Sequence, residues 1–362
     1  MNSAALRRAA LRVMLSDLGL DALLVTNLIN LRYLTGFTGS NGALLVTADE
    51  QSSIFCTDGR YETQSSVEVP DLTRRIDRPS DLSLLATASG AVGFEATAVS
   101  VAQSAQQRAA AVRCALVETF ELVEQLRAVK DGGEIDLLRS ACAVADQALA
   151  ELIIAGGIAP GRTEREVGLD LDERMRKLGA AGPAFETIVA AGPNSAIPHH
   201  RPTARPLAIG DFLKLDFGAA VAGYHSDMTR TYVMGQPADW QLEIYRLVKM
   251  AQSAGRDAAV VGASGADVDA AARNLIAAAG YGPSFSHGLG HGVGLEVHEA
   301  PSLARGQPGI IRADMCVTVE PGVYLPGRGG VRIEDSGVVR GQGSAKPGYE
   351  ALTLTPRDLV VL

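Results

Sequence analysis

Residues 211–233 read DFLKLDFGAAVAGYHSDMTRTYV, and residues 315–339 read MCVTVEPGVYLPGRGGVRIEDSGVV. Each stretch holds two runs rich in β-branched, aromatic and alternating apolar residues, joined by a Gly-containing connection. That is the pattern of a β-hairpin. In the first hairpin a turn centred on Val221 and Ala222 sets Asp216 directly opposite Asp227. In the second a turn centred on Gly327 sets Glu320 opposite Glu334, with Arg332 on the same strand face as Glu334 and Gly322 facing it. Gly322 leaves room there for a substrate or a long side chain. Like charges directly opposed destabilise a strand pair, and the neighbours Leu215, Phe217 and Met228 are apolar. Buried carboxylates need a partner or a metal. One such hairpin is compatible with a solvated pair of acids, whereas two in one chain point to cations.

Between the hairpins lies HGLGHGVGLEVHE, residues 287–299. Glycines at 288, 290, 292 and 294 argue against a helical HExxH zinc motif, so loop and strand are expected around His291. All six histidines of the chain (199, 200, 225, 287, 291 and 298) fall in the region that carries the acids. Four carboxylates and one imidazole suit Mn(II), Co(II) or Zn(II) better than a thiolate-loving metal. Two ions about 3.5–4 Å apart would share such a ligand set.

With those residues in view, LDFGAAVAGYHSDMTRT, HGLGHGVGLEVHE, TVEPGVY and GVRIED resemble the motifs of the metallopeptidase family M24, which contains aminopeptidase P, prolidase and methionine aminopeptidase. The resemblance implies a pita-bread catalytic domain and a cofactor of two divalent ions, Mn(II) first, with Co(II) or Zn(II) as alternatives. It implies that Asp216 chelates one ion, His291 and Glu320 the other, and that Asp227 and Glu334 bridge both. FETIVAAGPNSAIPHHRP, residues 185–202, resembles the segment that in Xaa-Pro peptidases carries a histidine near the scissile bond. His199 matches it, and His200 is a neighbour that competes for the assignment. His298 matches a histidine on a substrate oxygen, His287 another histidine near the active site, and Arg332 an arginine orienting the bridging ligands and the substrate end. His200 and His225 carry a packing reading beside any functional one.

The chemistry so implied is hydrolysis before proline, with Glu320 as proton shuttle and with His199, His298 and Arg332 in the catalytic set; His199, His287, His298 and Arg332 would contact substrate. An Xaa–Pro bond has no N–H and a rigid ring, so a peptidase that must hydrogen-bond that N–H cannot use it. The expected activity is Xaa-Pro aminopeptidase, with GFTGSNGALLV and TDGRY leaning that way, and prolidase (Xaa-Pro dipeptidase) is the alternative. A non-catalytic binding module and a metal-free hydrolase of guanidino compounds on the same fold are also conceivable. Both would be expected to have lost ligands, and here all five are present.

The remainder of the 362 residues favours two domains. Residues 1–122 alternate an Arg/Leu helix (MNSAALRRAALRVML) with the strands DALLVT, GALLVT and SIFCTD and a helical Ala/Gln stretch near 99–113. This α/β sandwich resembles the creatinase-like N-terminal domain, which in longer Xaa-Pro peptidases helps form a homodimer and can close over a neighbour's site. GFTGSNG lacks a lysine and the spacing of a phosphate loop, and reads as a turn. Residues 123–362 form the expected catalytic α+β domain. Asp131 with Glu134 opens one helix and Thr163 with Glu166 a second. A Phe185–Ala191 strand and the first hairpin follow, then helices near 239–260 and 265–279, the His-rich strand and the second hairpin. That repeated order predicts pseudo-twofold symmetry.

Net charge −8 argues against nucleic-acid and anionic-membrane partners. No run approaches the about 18 apolar residues of a membrane span. The start lacks signal-peptide character, and the scattered cysteines 56, 114, 142 and 316 fit reduced thiols in a cytoplasm. The expected partners are short proline-containing peptides.

Overall fold

The structure, a computed structural model, describes residues 3–307 and 309–362. The first two residues of the expected N-terminal helix lie outside that range. Contacts divide the chain into two compact units, Met1–Arg127 and Ala128–Leu362.

In the first unit Ala22–Val25 is apolar and buried at every position, as suits a strand covered on both faces. It lies inside a six-stranded mixed sheet. Ala43–Thr47, Ile54–Thr57 and Thr73–Ile76 extend to one side of it, Gly90–Glu95 and Cys114–Thr119 to the other. Helix Ser3–Asp17 buries Ala4, Arg8, Leu11 and Leu15, a stripe at helical spacing. Arg8 is tolerated there because Glu50, Asp71 and the Leu34 carbonyl accept its hydrogen bonds. The Ala/Gln helix is Val101–Ala110, opened by a Ser100–Gln103 capping box.

The second unit runs through one plan twice. Capping boxes at Asp131–Glu134 and Thr163–Glu166 open helices Gly132–Ile154 and Glu164–Lys177, as predicted. Leu149 and Leu171 of these helices pack on Val189, Leu213 and Leu215 of the sheet formed by Ile188–Ala191, Phe212–Phe217 and Met228–Val233. Helices Asp239–Ala258 and Gly265–Ala278 repeat the arrangement. Their Val248 and Ala272 pack against Val317 and Val319 of a sheet containing Gly290–Gly292, Cys316–Val319 and Asp335–Arg340. The strand expected at Phe185–Ala191 begins only at Ile188, and the preceding three residues are irregular.

The first hairpin departs from its expected register. Asp216 pairs with Thr229 and Phe217 with Met228, while Val221 pairs with Tyr224 beyond a break. The turn is Ala222–Gly223, with φ of 47° and 81°, a two-residue type I′ geometry whose twist matches that of the strands. The register therefore shifts by two, and Asp227 lies diagonal to Asp216 rather than opposite it. Side chains alternate with period two, so both acids stay on one face.

The second hairpin has the expected register. Gly322 faces Arg332 and Val319 faces Asp335, which leaves Glu320 and Glu334 opposed in the gap between two ladders. The room over Gly322 is taken by its own strand. A Cβ there would lie 2.6 Å from the Tyr324 hydroxyl.

Candidate metal centre and active site

A cavity of about 290 Å³ is lined by Asp216, Asp227, Glu320 and Glu334 together with His291, His199, His298 and Arg332. Phe185, Ile188 and Val297 supply apolar wall, and Glu186, His200 and Arg201 complete it. The main chain seats the acids. Glu320 N–H donates to the Leu289 carbonyl at 2.7 Å and Glu334 N–H to the Thr229 carbonyl at 3.1 Å. Gly290 and Gly292 let neighbouring strands close around His291, since a Cβ on them would lie 2.0 Å from the Thr318 carbonyl oxygen and 2.1 Å from that of Ala300.

Hydrogen bonding sets the His291 tautomer. Nδ1 donates to the Gly292 carbonyl at 2.9 Å, which leaves the Nε2 lone pair facing Glu320 Oε1 at 3.4 Å and Asp227 Oδ2 at 3.7 Å. This is the orientation of a ligating imidazole. Burial pushes the His291 pKa down to about 4, so the ring is neutral. The acids behave oppositely. Burial first, then Glu334, pushes Asp227 and Glu320 well up. Burial and Asp216 push Glu334 up to about 8.

Asp216 accepts a hydrogen bond from Arg332 Nη2 on one oxygen, while the other, Oδ1, is buried with no hydrogen-bond partner. Ligand-capable atoms of Asp227, His291 and Glu334 all lie within 4.8 Å of one another. An orphaned carboxylate oxygen, a bare imidazole nitrogen and acids that repel one another fit divalent cations, which satisfy all three.

The profile of metallopeptidase family M24 matches residues 136–341. The chain belongs to that family. Its first unit carries the creatinase/prolidase N-terminal domain, matched over residues 7–129. The Xaa-Pro dipeptidase from Bacillus anthracis superposes with a TM-score of 0.93 at 37% identity, covering 99% of this chain and 100% of its own. The X-Pro aminopeptidase from Thermotoga maritima gives 0.87 at 34% identity, covering 95% and 98%. The Xaa-Pro dipeptidase of Pyrococcus horikoshii is 33% identical over 342 residues, 94% of this chain and 95% of that one. The architecture is thus a creatinase-like domain followed by an M24 pita-bread catalytic domain.

Within this M24 site the histidines separate. His199 lines the cavity, and burial together with Arg332 lowers its pKa. His298 stacks edge-on to His291, ring centroids 4.4 Å apart. His200 is tied by Nε2 to Glu164 at 2.9 Å. His225 Nδ1 lies 3.1 Å from the Gly294 carbonyl. His287 is not among the described lining residues; its Nδ1 donates to the Gly288 carbonyl at 2.7 Å and its Nε2 meets Tyr324 Oη at 2.8 Å.

Several contributors escape sequence reasoning. Tyr324 receives Arg332 Nη1 at 2.8 Å and so links that guanidinium to His287. Thr229 Oγ1 donates to Glu334 Oε2 at 2.6 Å. Glu164 gathers the Ala191 N–H, Asn194, His200 and Thr203. Lys214 is buried, and that burial drives its ammonium pKa well down. A usable signal existed for Lys214, a cation between leucines in the strand FLKLDF, on the face of Asp216. Glu164 offered none beyond its place beside a helix cap.

Proposed function

We propose that this chain hydrolyses the Xaa–Pro bond at the N-terminus of short peptides, using two divalent ions held by Asp216, Asp227, His291, Glu320 and Glu334, with Mn(II) the first choice and Co(II) or Zn(II) the alternatives. The observation that carries this reading is the convergence of four acids, three of them buried, on one neutral imidazole, with Asp216 Oδ1 left without a partner. Bound there, divalent ions would activate water at neutral pH and polarise the scissile carbonyl.

The chain's own groups supply the rest. Glu320 takes the proton of the attacking water and hands it to the leaving tertiary nitrogen. His199 and His298 hold substrate oxygens, and Arg332 fixes Asp216. Phe185, Ile188 and Val297 offer apolar wall for a pyrrolidine ring. His287 acts on the site at one remove, through Tyr324 and its hydrogen bond with Arg332.

The Bacillus anthracis and Pyrococcus horikoshii relatives, both named Xaa-Pro dipeptidases, favour a second reading of substrate length, cleavage of dipeptides alone. Hydrolysis of Ala-Pro against Ala-Pro-Ala by chelator-stripped protein, with and without Mn(II), decides between them. Metal-dependent cleavage of the tripeptide is the expected result; cleavage of Ala-Pro alone makes the protein a prolidase, and cleavage of neither overturns the substrate class. We also read the protein as a cytoplasmic homodimer of two-domain subunits. Four free cysteines support the compartment, and sedimentation measures the assembly.

A further inference from the structure

We propose that Lys214 is a positioning residue for His199, clamping the main chain just before it so that the imidazole meets the substrate in a fixed place. The inference rests on the reading of His199 as a substrate-facing group.

Lys214 has no exposed surface, although it sits in the strand Phe212–Phe217 among apolar neighbours. An ammonium in such a place is unfavourable unless its N–H groups are used. Here they are. Nζ donates to the Ile197 carbonyl at 2.7 Å and to the Pro198 carbonyl at 3.2 Å, and it lies 5.0 Å from the centre of the Tyr324 ring, within cation–π range. Arg332 Nη1 adds a 3.3 Å contact to the same Pro198 oxygen.

The need for this clamp follows from the segment. Pro198 has no N–H, and the Ile197 N–H is already given to the Asn194 carbonyl at 2.9 Å. The two carbonyls are the remaining main-chain handles before His199, and Lys214 takes both. The strand that supplies the clamp also supplies Asp216, two residues on and on the same face, with Ala190 and Ile188 as their partners on the neighbouring strand. A single rigid strand therefore fixes the loop bearing His199 and the acid Asp216 in one frame. Misplacement by about 1 Å of a positioned group costs up to about 100-fold in rate.

The test is a double-mutant cycle on the metal-loaded full chain, with kcat/KM for Ala-Pro and Ala-Pro-Ala and bound metal as readouts. Lys214→Met is expected to lower kcat/KM by about 10–100-fold with metal content unchanged. In the His199→Ala background it is expected to add no more than about twofold, because groups that act as a unit are not additive. Lys214→Arg, which keeps donors for the two carbonyls, is expected to recover part of the loss. A full loss in both backgrounds, or no loss in the native one, overturns the proposal. If His199→Ala is itself silent, the reading of His199 falls and the inference falls with it, a result distinct from additivity. Should the methionine variant not fold, Lys214→Gln, which retains an N–H donor, runs the same cycle.

Discussion

Arg332 donates from Nη2 to one oxygen of Asp216, while the other oxygen of that carboxylate is buried with no hydrogen-bond partner. The guanidinium also reaches Thr229 Oγ1 at 2.9 Å and Tyr324 Oη at 2.8 Å. Arg332→Leu should therefore release Asp216 and weaken Mn(II) affinity or kcat/KM by about 10–100-fold, the scale for groups that orient metal ligands. Arg332→Lys should not restore either quantity, since a point charge cannot serve three acceptors in a planar fork. Metal titration of both variants checks this, and full recovery in the lysine variant would contradict it.

Asp227→Asn should act in opposite directions on the two forms of the protein. Asp227 is held above its usual carboxyl pKa by burial and then by Glu334, Asp216 and Glu320. An amide there suffers neither that repulsion nor the cost of taking up a proton to escape it, a gain on the order of 1 kcal/mol or more. The chelator-stripped variant should then melt a few degrees above stripped native protein, about 2–4 °C per kcal/mol. Metal-dependent peptidase activity should be lost. A lower melting temperature for the stripped variant would refute the repulsion argument.

The stripped protein should also lose stability as pH rises. Glu334 has a folded pKa of about 8 against an ordinary value of 4.5, so the folded state binds the proton more tightly than the unfolded one. The contribution is complete below about pH 4.5 and declines until pH passes about 8, at up to about 1.4 kcal/mol per pH unit for each retained proton. Saturating Mn(II) should flatten the profile, because ligation requires the deprotonated acids. Thermal melts across pH 5–9, with and without metal, measure it; a stripped protein that gains stability over that interval would reverse the sign.

Glu164→Ala should destabilise more than it alters chemistry. Its carboxylate takes donors from Ala191, Asn194, His200 and Thr203. Removing it strands several buried donors, for a loss of about 3 kcal/mol or more. Urea denaturation gives the number, and kcat of the surviving folded fraction should change far less than in His199→Ala.

Much of this architecture was legible in the sequence. Period-two alternation placed all four acids on inward faces, and that survived an error of one residue in the first turn because the resulting shift is even. Glycine at 223 and a positive φ at Ala222 moved the turn, and an alanine in that conformation carries no signal in sequence. The second turn, crowded with Pro326, Gly327, Gly329 and Gly330, was unambiguous. The partners of Arg332, the clamp at Lys214 and the anchor at Glu164 depend on contacts between residues as much as 134 positions apart, which no local pattern encodes.

Glu320 and Glu334 sit where both ladders of their hairpin lapse, and their N–H groups turn elsewhere, to the Leu289 carbonyl just ahead of the strand Gly290–Gly292 and to the Thr229 carbonyl. The glycines beside His291 settle its backbone by the absence of a side chain. None of these bonds asks what the five donor side chains are. Exchanging all five would leave these main-chain bonds in place, while Arg332 and Thr229 would lose side-chain partners. Loss of peptidase chemistry and loss of the fold are therefore separable events in the history of such a chain.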